Sequence, residues 1–310
     1  MLNNNHPLIY TIIVTYNGDQ YIRKCLKLLA ESSLPTQTIV VDNASSDNTV
    51  NTILNEFSFV ELLKNAENKG FGMANNMAIQ IALQRNADYV FLLNQDAFVQ
   101  KDTLEKAVIL SGKYPEYGII GPVQLDGEGA ALDERFKKYL GRFLSADELL
   151  KTGRQEYNSI EIIPVRFVNA AAWLLPSAVV KKVGMFHPLF FHYGEDNNYS
   201  ARVQFHGYKV GVALNAFVFH ERHFNINKQK ELLRKIKTII RYTSTDPRKN
   251  FGAAYLEAWY NYFTLWNKAR SNLAFYRDAL KKEKFFLLNL SGLKELRAQM
   301  KQSFNAEQPI

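Results

Sequence analysis

The sequence has little of several features that mark common protein classes. It contains a single cysteine, Cys25, among 310 residues, so an internal disulfide framework is excluded, which fits a reducing, cytoplasmic compartment. No apolar run is long enough to span a bilayer, because the best candidate, residues 167–180, is interrupted by Asn169, Pro176 and Ser177. The polar, uncharged start lacks the basic region of a secretory signal, so we expect no signal peptide.

What the sequence does have is an ordinary globular composition and an excess of positive charge. Hydrophobic residues make up 47% and charged residues 22%, which is enough to bury a substantial core. The net charge of +8 fits nucleic acid, an anionic membrane or a phosphorylated ligand. Residues 1–125 are mixed in sign, whereas residues 228–249 hold eight basic and two acidic side chains. The surplus is therefore partly a feature of the C-terminal region.

Apolar runs alternate with helical patterns along the first hundred residues. The predicted strands are Leu8–Thr15, Thr38–Val41, Phe59–Leu63 and Tyr89–Leu93. The predicted helices are Asp19–Glu31, a segment ending near Phe57, and Met73–Arg85. Nearly continuous apolar strands are typical of sheets covered on both faces, and the alternation predicts parallel strands with right-handed crossovers.

Polar side chains follow three of these predicted strands. They are Thr15, Tyr16 and Asn17 after the first strand, Asp42 and Asn43 after the second, and Asn94, Gln95 and Asp96 after the fourth. In open α/β sheets, ligands bind beyond the carboxyl ends of the strands. We therefore expect these side chains to converge on one cleft.

Three carboxylates are candidates for direct chemistry. Asp96 directly follows a buried strand, where it could hold Mg²⁺ or Mn²⁺ against a diphosphate, since hard cations prefer oxygen ligands. The alternative is an N-cap for a helix at Asp102–Leu110. The adjacent Glu195 and Asp196 follow an aromatic run and could take a proton from an attacking hydroxyl. They could equally be acidic residues favoured at a solvated helix start.

A glycine-containing loop and a histidine complete the set of candidates. Gly70 and Gly72 would let the loop at Asn68–Asn76 approach a ligand closely, and the following helix start offers free N–H groups. An ordinary turn is the alternative. His220 ends a strand-like run and could ligate a metal as a neutral imidazole, or it could be structural. His223 is too close along the chain to be an obvious second ligand.

The order of these motifs resembles glycosyltransferase family 2, a large inverting family, and more narrowly its bacterial rhamnosyltransferase-type members. The resemblance implies the α/β GT-A fold, with a mostly parallel, Rossmann-like central sheet flanked by helices. The matching stretches cover roughly residues 8–225 in the family's order, which makes chance a poor explanation. They are Ile12–Asn17, Val40–Ser45, Asn68–Gly72, Leu92–Asp96, Gly194–Asp196 and Phe219–His220.

The resemblance implies a nucleotide-diphosphate sugar as the donor, with Mg²⁺ or Mn²⁺ as cofactor. Asp96 and His220 would be the metal ligands. Asn94 departs from the family pattern, which has an aspartate there, so either the metal affinity is weak or the donor phosphates supply most of the ligands. The implied nucleotide-binding residues are Thr15, Tyr16, Asn17, Asp42, Asn43, Ser45, Asn68, Lys69, Gly70, Asn94 and Gln95.

The resemblance also implies the catalytic base, which is Asp196, with Glu195 as the second choice. Asp196 would accept the hydroxyl proton while the oxygen attacks the anomeric carbon from the face opposite the diphosphate. A single attack of this kind inverts the anomeric centre. Asn169 and Trp173 match the segment on the acceptor side, where Trp173 would either stack on a sugar ring or fill the core.

The predicted organisation is a catalytic domain over residues 1–225, with a nucleotide-binding half at 1–125 and an acceptor-side half at 126–225. Within the second half, residues 126–161 lack clean periodicity and predict an insertion or a mobile loop. A helical, basic and aromatic extension over 226–310 follows. We expect it to pack on the domain, with peripheral contact to the inner face of the plasma membrane or a homodimer interface as further uses.

The expected function is transfer of a sugar from dTDP-rhamnose or a UDP-sugar to a glycan or lipid-linked acceptor in bacterial surface polysaccharide synthesis. Because of Asn94, a second function remains as an alternative, that of a degenerate, non-catalytic protein that binds a nucleotide-sugar or glycan. A sugar nucleotidyltransferase is disfavoured, because residues 15–19 lack a glycine-rich loop with a basic residue. Nucleic-acid binding is not expected, since no recognised module precedes the basic region.

Overall fold

A computed structural model describes residues 6–140, 161–221 and 227–302, and within these ranges nine strands form one sheet flanked by helices. The strands are β1 (Ile9–Thr15), β2 (Gln37–Asp42), β3 (Val60–Lys64), β4 (Tyr89–Asn94), β5 (Ala97–Val99), β6 (Tyr117–Asp126), β7 (Ile162–Val165), β8 (Ala172–Pro176) and β9 (Lys209–His220). The helices are α1 (Asp19–Ala30), α2 (Thr49–Glu56), α3 (Phe71–Gln84), α4 (Thr103–Lys113), α5 (Lys137–Leu140), α6 (Ser177–Val183), α7 (Glu195–Phe205), α8 (Lys228–Ser244), α9 (Phe251–Ala269), α10 (Leu273–Leu288) and α11 (Leu290–Lys301).

The sheet is parallel in its N-terminal half and mixed beyond it. The strand order is β3-β2-β1-β4-β8-β6-β9-β5, with β7 paired to β9. Pairings β1–β2, β1–β4 and β2–β3 are parallel, which confirms the predicted architecture of the first hundred residues. Strand β8 then enters antiparallel between β4 and β6, a feature that the sequence did not predict. The carboxyl ends of β1, β2 and β4 lie side by side at one edge.

Two apolar layers cover the two faces of the sheet. One contains buried side chains of α3, α6 and α7, and the other contains those of α1, α2 and α4. Ile12 and Ile13 of β1, both fully buried, point into opposite layers, as expected for a strand covered on both faces. Cys25 lies in the second layer, and its burial raises the pKa of its thiol, so it fills the core as predicted.

The C-terminal helices have an apolar core of their own. Ile236 and Ile240 of α8 pack there against side chains of α9 and α10. Arg241 of α8 donates to the carboxylate of Glu283 on α10, with Nη2–Oε1 at 2.9 Å, and also donates to the Leu189 carbonyl. These contacts fix α8 against both the helical layer and the loop before α7. The predicted domain boundary at residue 225 lies outside the described residues, none of whose helices is long and apolar enough to cross a membrane.

Candidate active site

A cavity of about 750 Å³ opens at the carboxyl edge of the sheet. The predicted convergence of polar strand ends is confirmed, because residues after β1, β2 and β4 all line this cavity. Residues near the start of α7 and the end of β9 also line it. The predicted site residues on its wall are Tyr16, Asn43, Asn68, Gly70, Asn94, Gln95, Asp96, Asn169, Glu195, Asp196 and His220.

The other predicted donor-side residues lie behind the wall and hold its loops. Thr15 Oγ1 donates to Gln95 Oε1 at 2.6 Å, which joins the end of β1 to the turn after β4. Asn17 N donates to Ser45 Oγ at 2.9 Å. Ser45 N in turn donates to the carboxylate of Asp42, whose side chain is almost fully buried. Lys69, the remaining member, does not line the cavity, although its backbone belongs to a loop that does.

Asn43 organises the glycine-containing loop. Its Nδ2 donates to Asn68 Oδ1 at 2.9 Å, and its Oδ1 accepts from the backbone N of Lys69 at 2.9 Å. Gly70 has a φ of +81°, and a Cβ there would collide with the carbonyl oxygen of Phe191. The position therefore requires glycine, both for its backbone conformation and for this close approach. The loop is more than an ordinary turn, since it joins β2 to the segment before α7.

Asp96 and His220 meet at the floor of the cavity. The turn after β4 leads into β5, which pairs antiparallel with β9 so that Ala97 lies opposite His220. His220 Nε2 lies 3.4 Å from Asp96 Oδ1, and the imidazole is nearly buried whereas the carboxylate is partly exposed to the cavity. Among the described residues, no cluster of three His, Cys, Asp or Glu side chains could hold a metal ion by itself. The pair therefore offers one oxygen and one nitrogen donor to a cation shared with a bound ligand.

Glu195 and Asp196 begin α7 but have different surroundings. Asp196 Oδ1 accepts from Asn197 N at 2.8 Å and from Asn197 Nδ2 at 3.0 Å. Burial raises the pKa of Asp196, while these hydrogen bonds and one from the Ala170 backbone oppose the rise. Glu195 Oε2 is buried without a hydrogen-bond partner among the described residues, and burial, aided by the Asp196 charge, raises the pKa of Glu195 to about 8. Burial thus favours the protonated form of both carboxyl groups, and only Asp196 has side-chain and backbone hydrogen bonds from Asn197 that stabilise its carboxylate.

This difference predicts a pH-dependent contribution of Glu195 to stability. Its pKa is raised from 4.5 to about 8 in the folded chain, so the native state binds more protons than the unfolded state between these values. The free energy of unfolding therefore falls as pH rises through that window. Glu195→Gln, which stays neutral, should lose less melting temperature than wild type between about pH 5 and about pH 8. Glu67→Gln, an exposed site, is the matched control, and parallel curves for all three proteins would contradict the assignment.

The two predicted acceptor-side residues, Asn169 and Trp173, lie in different environments. Asn169 lines the cavity, and its Oδ1 is buried without a hydrogen-bond partner among the described residues. Trp173 is fully buried in β8 and stacks on Phe186 at 6.4 Å between ring centroids, with Tyr199 at 6.0 Å. No sugar can reach it there, so the stacking role is corrected to the core role. The register of β8 turns Trp173 towards the α3 side of the sheet.

Several wall residues were not predicted from the sequence. They are Arg135, Tyr139, Phe167, Phe191, His192, Tyr193, Arg234, Lys235, Thr238, Ile239 and Tyr242. The last five recur at the spacing of one helical face, and together they show that α8 lies along the cavity. That periodicity is visible in the sequence, but it does not reveal which element the face covers. The part of the predicted insertion that is described contributes Arg135 and Tyr139, and residues 141–160 lie outside the described residues.

The sequence profile of Glycosyl transferase family 2 matches residues 10–184, more than half of the chain. The chain belongs to this family. The match spans the donor-side strand ends, the glycine-containing loop and the Asn94–Asp96 turn, but it stops before Glu195, Asp196 and His220. The resemblance stated from the motifs is therefore confirmed at the level of the family.

Known proteins extend this comparison. The N-acetylglucosaminyl-diphospho-decaprenol L-rhamnosyltransferase of Mycobacterium tuberculosis is 22% identical over 230 residues, covering 68% of this chain and 75% of that protein. A mannosyltransferase from Pyrobaculum calidifontis, solved with GDP-Man and Mn²⁺, matches with a TM-score of 0.58 and 16% identity over 96% of this chain and 88% of that one. GalNAc-T7, solved with UDP, GalNAc and Mn²⁺, matches with a TM-score of 0.56 and 14% identity over 72% of this chain. The chain spans 45% of the length of GalNAc-T7. These structural likenesses show the GT-A fold.

Proposed function

We propose that this protein is an inverting glycosyltransferase that moves a sugar from a nucleotide-diphosphate donor to an acceptor hydroxyl. One observation carries the proposal: Asp96, His220 and Asp196, distant in sequence, line the same cavity at the carboxyl edge of the sheet. A cation-binding pair and a proton acceptor in one cavity are the two functions that this transfer needs. Family membership supports the same reaction class.

The donor nucleotide occupies the side of the cavity formed by Tyr16, Asn43 and Asn68. Their loops are held by the Asn43 and Gln95 hydrogen bonds, so the polar groups that face the nucleotide are preorganised. Asp96 and His220 would hold Mg²⁺ or Mn²⁺. The Asp96 carboxylate fits either cation, because both prefer oxygen ligands, and the His220 nitrogen suits Mn²⁺, a transition metal, better than Mg²⁺. When bound, the cation would neutralise negative charge on the departing diphosphate.

Asp196 acts as the general base. Its carboxylate accepts the proton of the acceptor hydroxyl as the oxygen forms a bond to the anomeric carbon. The bond between that carbon and the donor diphosphate breaks, and the electron pair leaves with the nucleoside diphosphate. The hydrogen bonds from Asn197 keep the carboxylate oriented towards the cavity. Displacement from the face opposite the leaving group inverts the anomeric centre.

The donor and acceptor are assigned on similarity. The Mycobacterium tuberculosis relative is named as a rhamnosyltransferase acting on a diphospho-decaprenol substrate, which supports dTDP-rhamnose as the first donor and a lipid-linked glycan as the acceptor. A UDP-sugar is the second donor. The proposed setting is bacterial surface polysaccharide synthesis in the cytoplasm, at the inner face of the plasma membrane.

A thermal-shift screen of nucleotide sugars tests this donor assignment. A donor that binds the native state raises the melting temperature by mass action, about 2.7 kcal/mol of stabilisation at a hundredfold excess over Kd. We expect dTDP-rhamnose with Mg²⁺ or Mn²⁺ to give the largest shift, and chelation by EDTA to reduce it. Equal shifts for free rhamnose would contradict a nucleotide site. If no nucleotide sugar or nucleoside diphosphate shifts the transition, the donor site itself is rejected.

A non-catalytic protein that binds nucleotide-sugar or glycan is the second candidate function. Asn94 favours it, because a neutral amide replaces the carboxylate of the family pattern and weakens cation binding. Release of nucleoside diphosphate from a bound donor separates the two candidates, since a binding protein would hold the donor intact. A sugar nucleotidyltransferase stays a weaker alternative, because no basic glycine-rich loop follows β1.

The helical extension that follows the catalytic domain is also proposed to touch the membrane. Leu256, Tyr260 and Phe263 form an exposed apolar stripe along α9, and exposed lysines of α10 lie on the neighbouring helix. Apolar side chains flanked by basic ones suit the surface of an anionic leaflet. We expect the triple substitution of this stripe by glutamine to reduce co-sedimentation with phosphatidylglycerol vesicles. Leu54→Gln, at an exposed site on α2, is the control.

Self-association is the other use of the same stripe. Sedimentation velocity of wild type and the triple variant distinguishes it from membrane contact. A dimer that dissociates on substitution, with unchanged vesicle binding, would reject the membrane proposal in favour of a homodimer.

A further inference from the structure

The charged side chains that line the cavity come from two groups of elements. The acidic side chains Asp96, Glu195 and Asp196 come from the sheet edge and the start of α7. The basic side chains Arg135, Arg234 and Lys235 come from the segment after β6 and from α8. The proposed transfer chemistry accounts for the acidic side chains and leaves the basic side chains without a function.

The basic side chains of α8 are held on the cavity wall by packing on the opposite face of the helix. Ile236 and Ile240 are fully buried in the core of the C-terminal helices. Thr238 packs against Gly194, whose φ of +91° forms the tight entry to α7. The face that carries Arg234 and Lys235 is therefore directed towards the loop that leads to the catalytic carboxylates.

Arg234 is fixed near this loop by a cation–π contact. Its guanidinium carbon lies 4.4 Å from the ring centroid of Tyr193, three residues before the proposed base. The pKa of the neighbouring His192 is lowered, first by burial and second by the charge of Arg234. The cation–π contact therefore places the guanidinium next to the loop that leads to Asp196.

The three basic side chains share the carboxylate of Glu231 as a neighbour. Glu231 pairs with Lys235 Nζ at 2.8 Å and with Arg234 Nη2 at 3.9 Å. The pKa of Glu231 is lowered, with Lys235 as the largest cause and with smaller contributions from Arg234 and Arg135. Glu231 therefore relates all three basic side chains to one region of the cavity wall.

We propose that Arg234 and Lys235, with Arg135 beside them, form an anion subsite for a phosphate or diphosphate group on the acceptor. This inference rests on the proposed function, because it assumes that the donor diphosphate occupies the Asp96–His220 end. An acceptor hydroxyl must lie next to Asp196, so an acceptor sugar carrying a diphosphate places that charge near the basic wall. Arginine binds phosphate oxygens through two parallel hydrogen bonds, and lysine adds a point charge.

The test measures binding of a soluble prenyl diphosphate, geranyl diphosphate, with the donor end saturated by UDP or dTDP and Mg²⁺. Wild type should bind geranyl diphosphate but not geraniol, and the affinity should fall with added salt. The variant Arg234→Gln/Lys235→Gln should lose about tenfold or more of this affinity and keep its affinity for the nucleoside diphosphate. Lys230→Gln, an exposed residue on α8 outside the cavity, should change neither. Lys235→Gln alone serves if the double variant fails to fold, with a smaller loss in the same direction.

Three results would overturn the proposal. If the double variant binds geranyl diphosphate as tightly as wild type does, or if wild type does not bind it, the wall binds no acceptor phosphate. An equal loss of nucleoside diphosphate affinity would assign the cations to the donor. Reduced binding to phosphatidylglycerol vesicles with unchanged geranyl diphosphate binding would assign them to a lipid headgroup. Asp196→Asn keeps these outcomes separate from the transfer chemistry, since it should lower turnover strongly and leave geranyl diphosphate binding intact.

Discussion

Replacing Asp196 with asparagine is expected to lower the turnover of sugar transfer by about 10²- to 10⁴-fold, the usual contribution of a general base. Asparagine keeps the shape of the side chain but cannot take a proton from the acceptor hydroxyl. Donor affinity should stay close to that of wild type, because the donor end of the cavity is built from residues after β1, β2 and β4. Initial rates at saturating donor, together with calorimetric donor affinity, measure the two effects separately.

Glu195→Gln is the matched control for this experiment. Glu195 is adjacent in sequence and lines the same cavity, but burial raises its pKa to about 8, so it is mainly protonated at neutral pH. A neutral amide should therefore replace it with a much smaller loss of turnover. If Glu195→Gln abolishes transfer and Asp196→Asn does not, the roles of the two carboxylates are reversed. Loss of donor binding in Asp196→Asn with unchanged chemistry would reject its role as base.

Replacing Asp96 with alanine is expected to abolish metal-dependent donor binding. Asp96 is the carboxylate of the Asp96–His220 pair, and Asn94 beside it can offer a neutral amide oxygen only. Removing the carboxylate leaves His220 and the donor phosphates as ligands, which lowers cation affinity. Each protein is titrated with the nucleoside diphosphate, first with Mn²⁺ and then with EDTA. The affinity should differ between the two conditions for wild type and should not differ for the variant.

Two further variants define the specificity of that result. Asp102→Ala removes an exposed carboxylate that pairs with Lys106 outside the cavity, and it should leave donor affinity unchanged. Asn94→Asp restores the carboxylate of the family pattern and should strengthen Mn²⁺-dependent binding. If Asp96→Ala binds the nucleoside diphosphate as wild type does, with and without Mn²⁺, the proposed cation site is wrong.

The parallel half of the fold could be predicted because its signals are local. The strands β1 and β4 are nearly continuous apolar runs, each followed directly by polar residues, so strand identity and the position of the cleft follow from the same short segments. The glycine requirement at Gly70 has a local part, its positive φ, and a distant part, the Phe191 carbonyl. The sequence indicates the first but gives no sign of the second.

The remainder of the fold depends on pairing between distant segments. Strand β8 enters between β4 and β6 in antiparallel orientation, and its register decides that Trp173 faces the core while Asn169 before it lines the cavity. The side chains of a strand alternate between its two faces, and the sequence alone does not show which face meets the core until the neighbouring strands are known. For the same reason, Trp173 could not be assigned between stacking and packing from its type and position.

Helix α8 is the largest addition to the site that the sequence did not predict. The sequence places its basic residues in a C-terminal extension, but charge composition does not reveal where a helix docks. Docking depends on the Arg241–Glu283 ion pair and the hydrogen bond to Leu189, which join residues 42 and 52 positions apart. The extension therefore contributes a wall of the candidate active site as well as a helical layer.

The most direct test of the account is the anomeric configuration of the sugar released by slow hydrolysis of the donor, followed by proton NMR before mutarotation. Water then replaces the unidentified acceptor, so the measurement needs only the donor selected by the thermal-shift screen. The account predicts that the sugar first appears with the opposite configuration from the donor, and that Asp196→Asn suppresses its release. A product that retains the donor configuration, or equal release by Asp196→Asn, would contradict direct displacement assisted by this carboxylate.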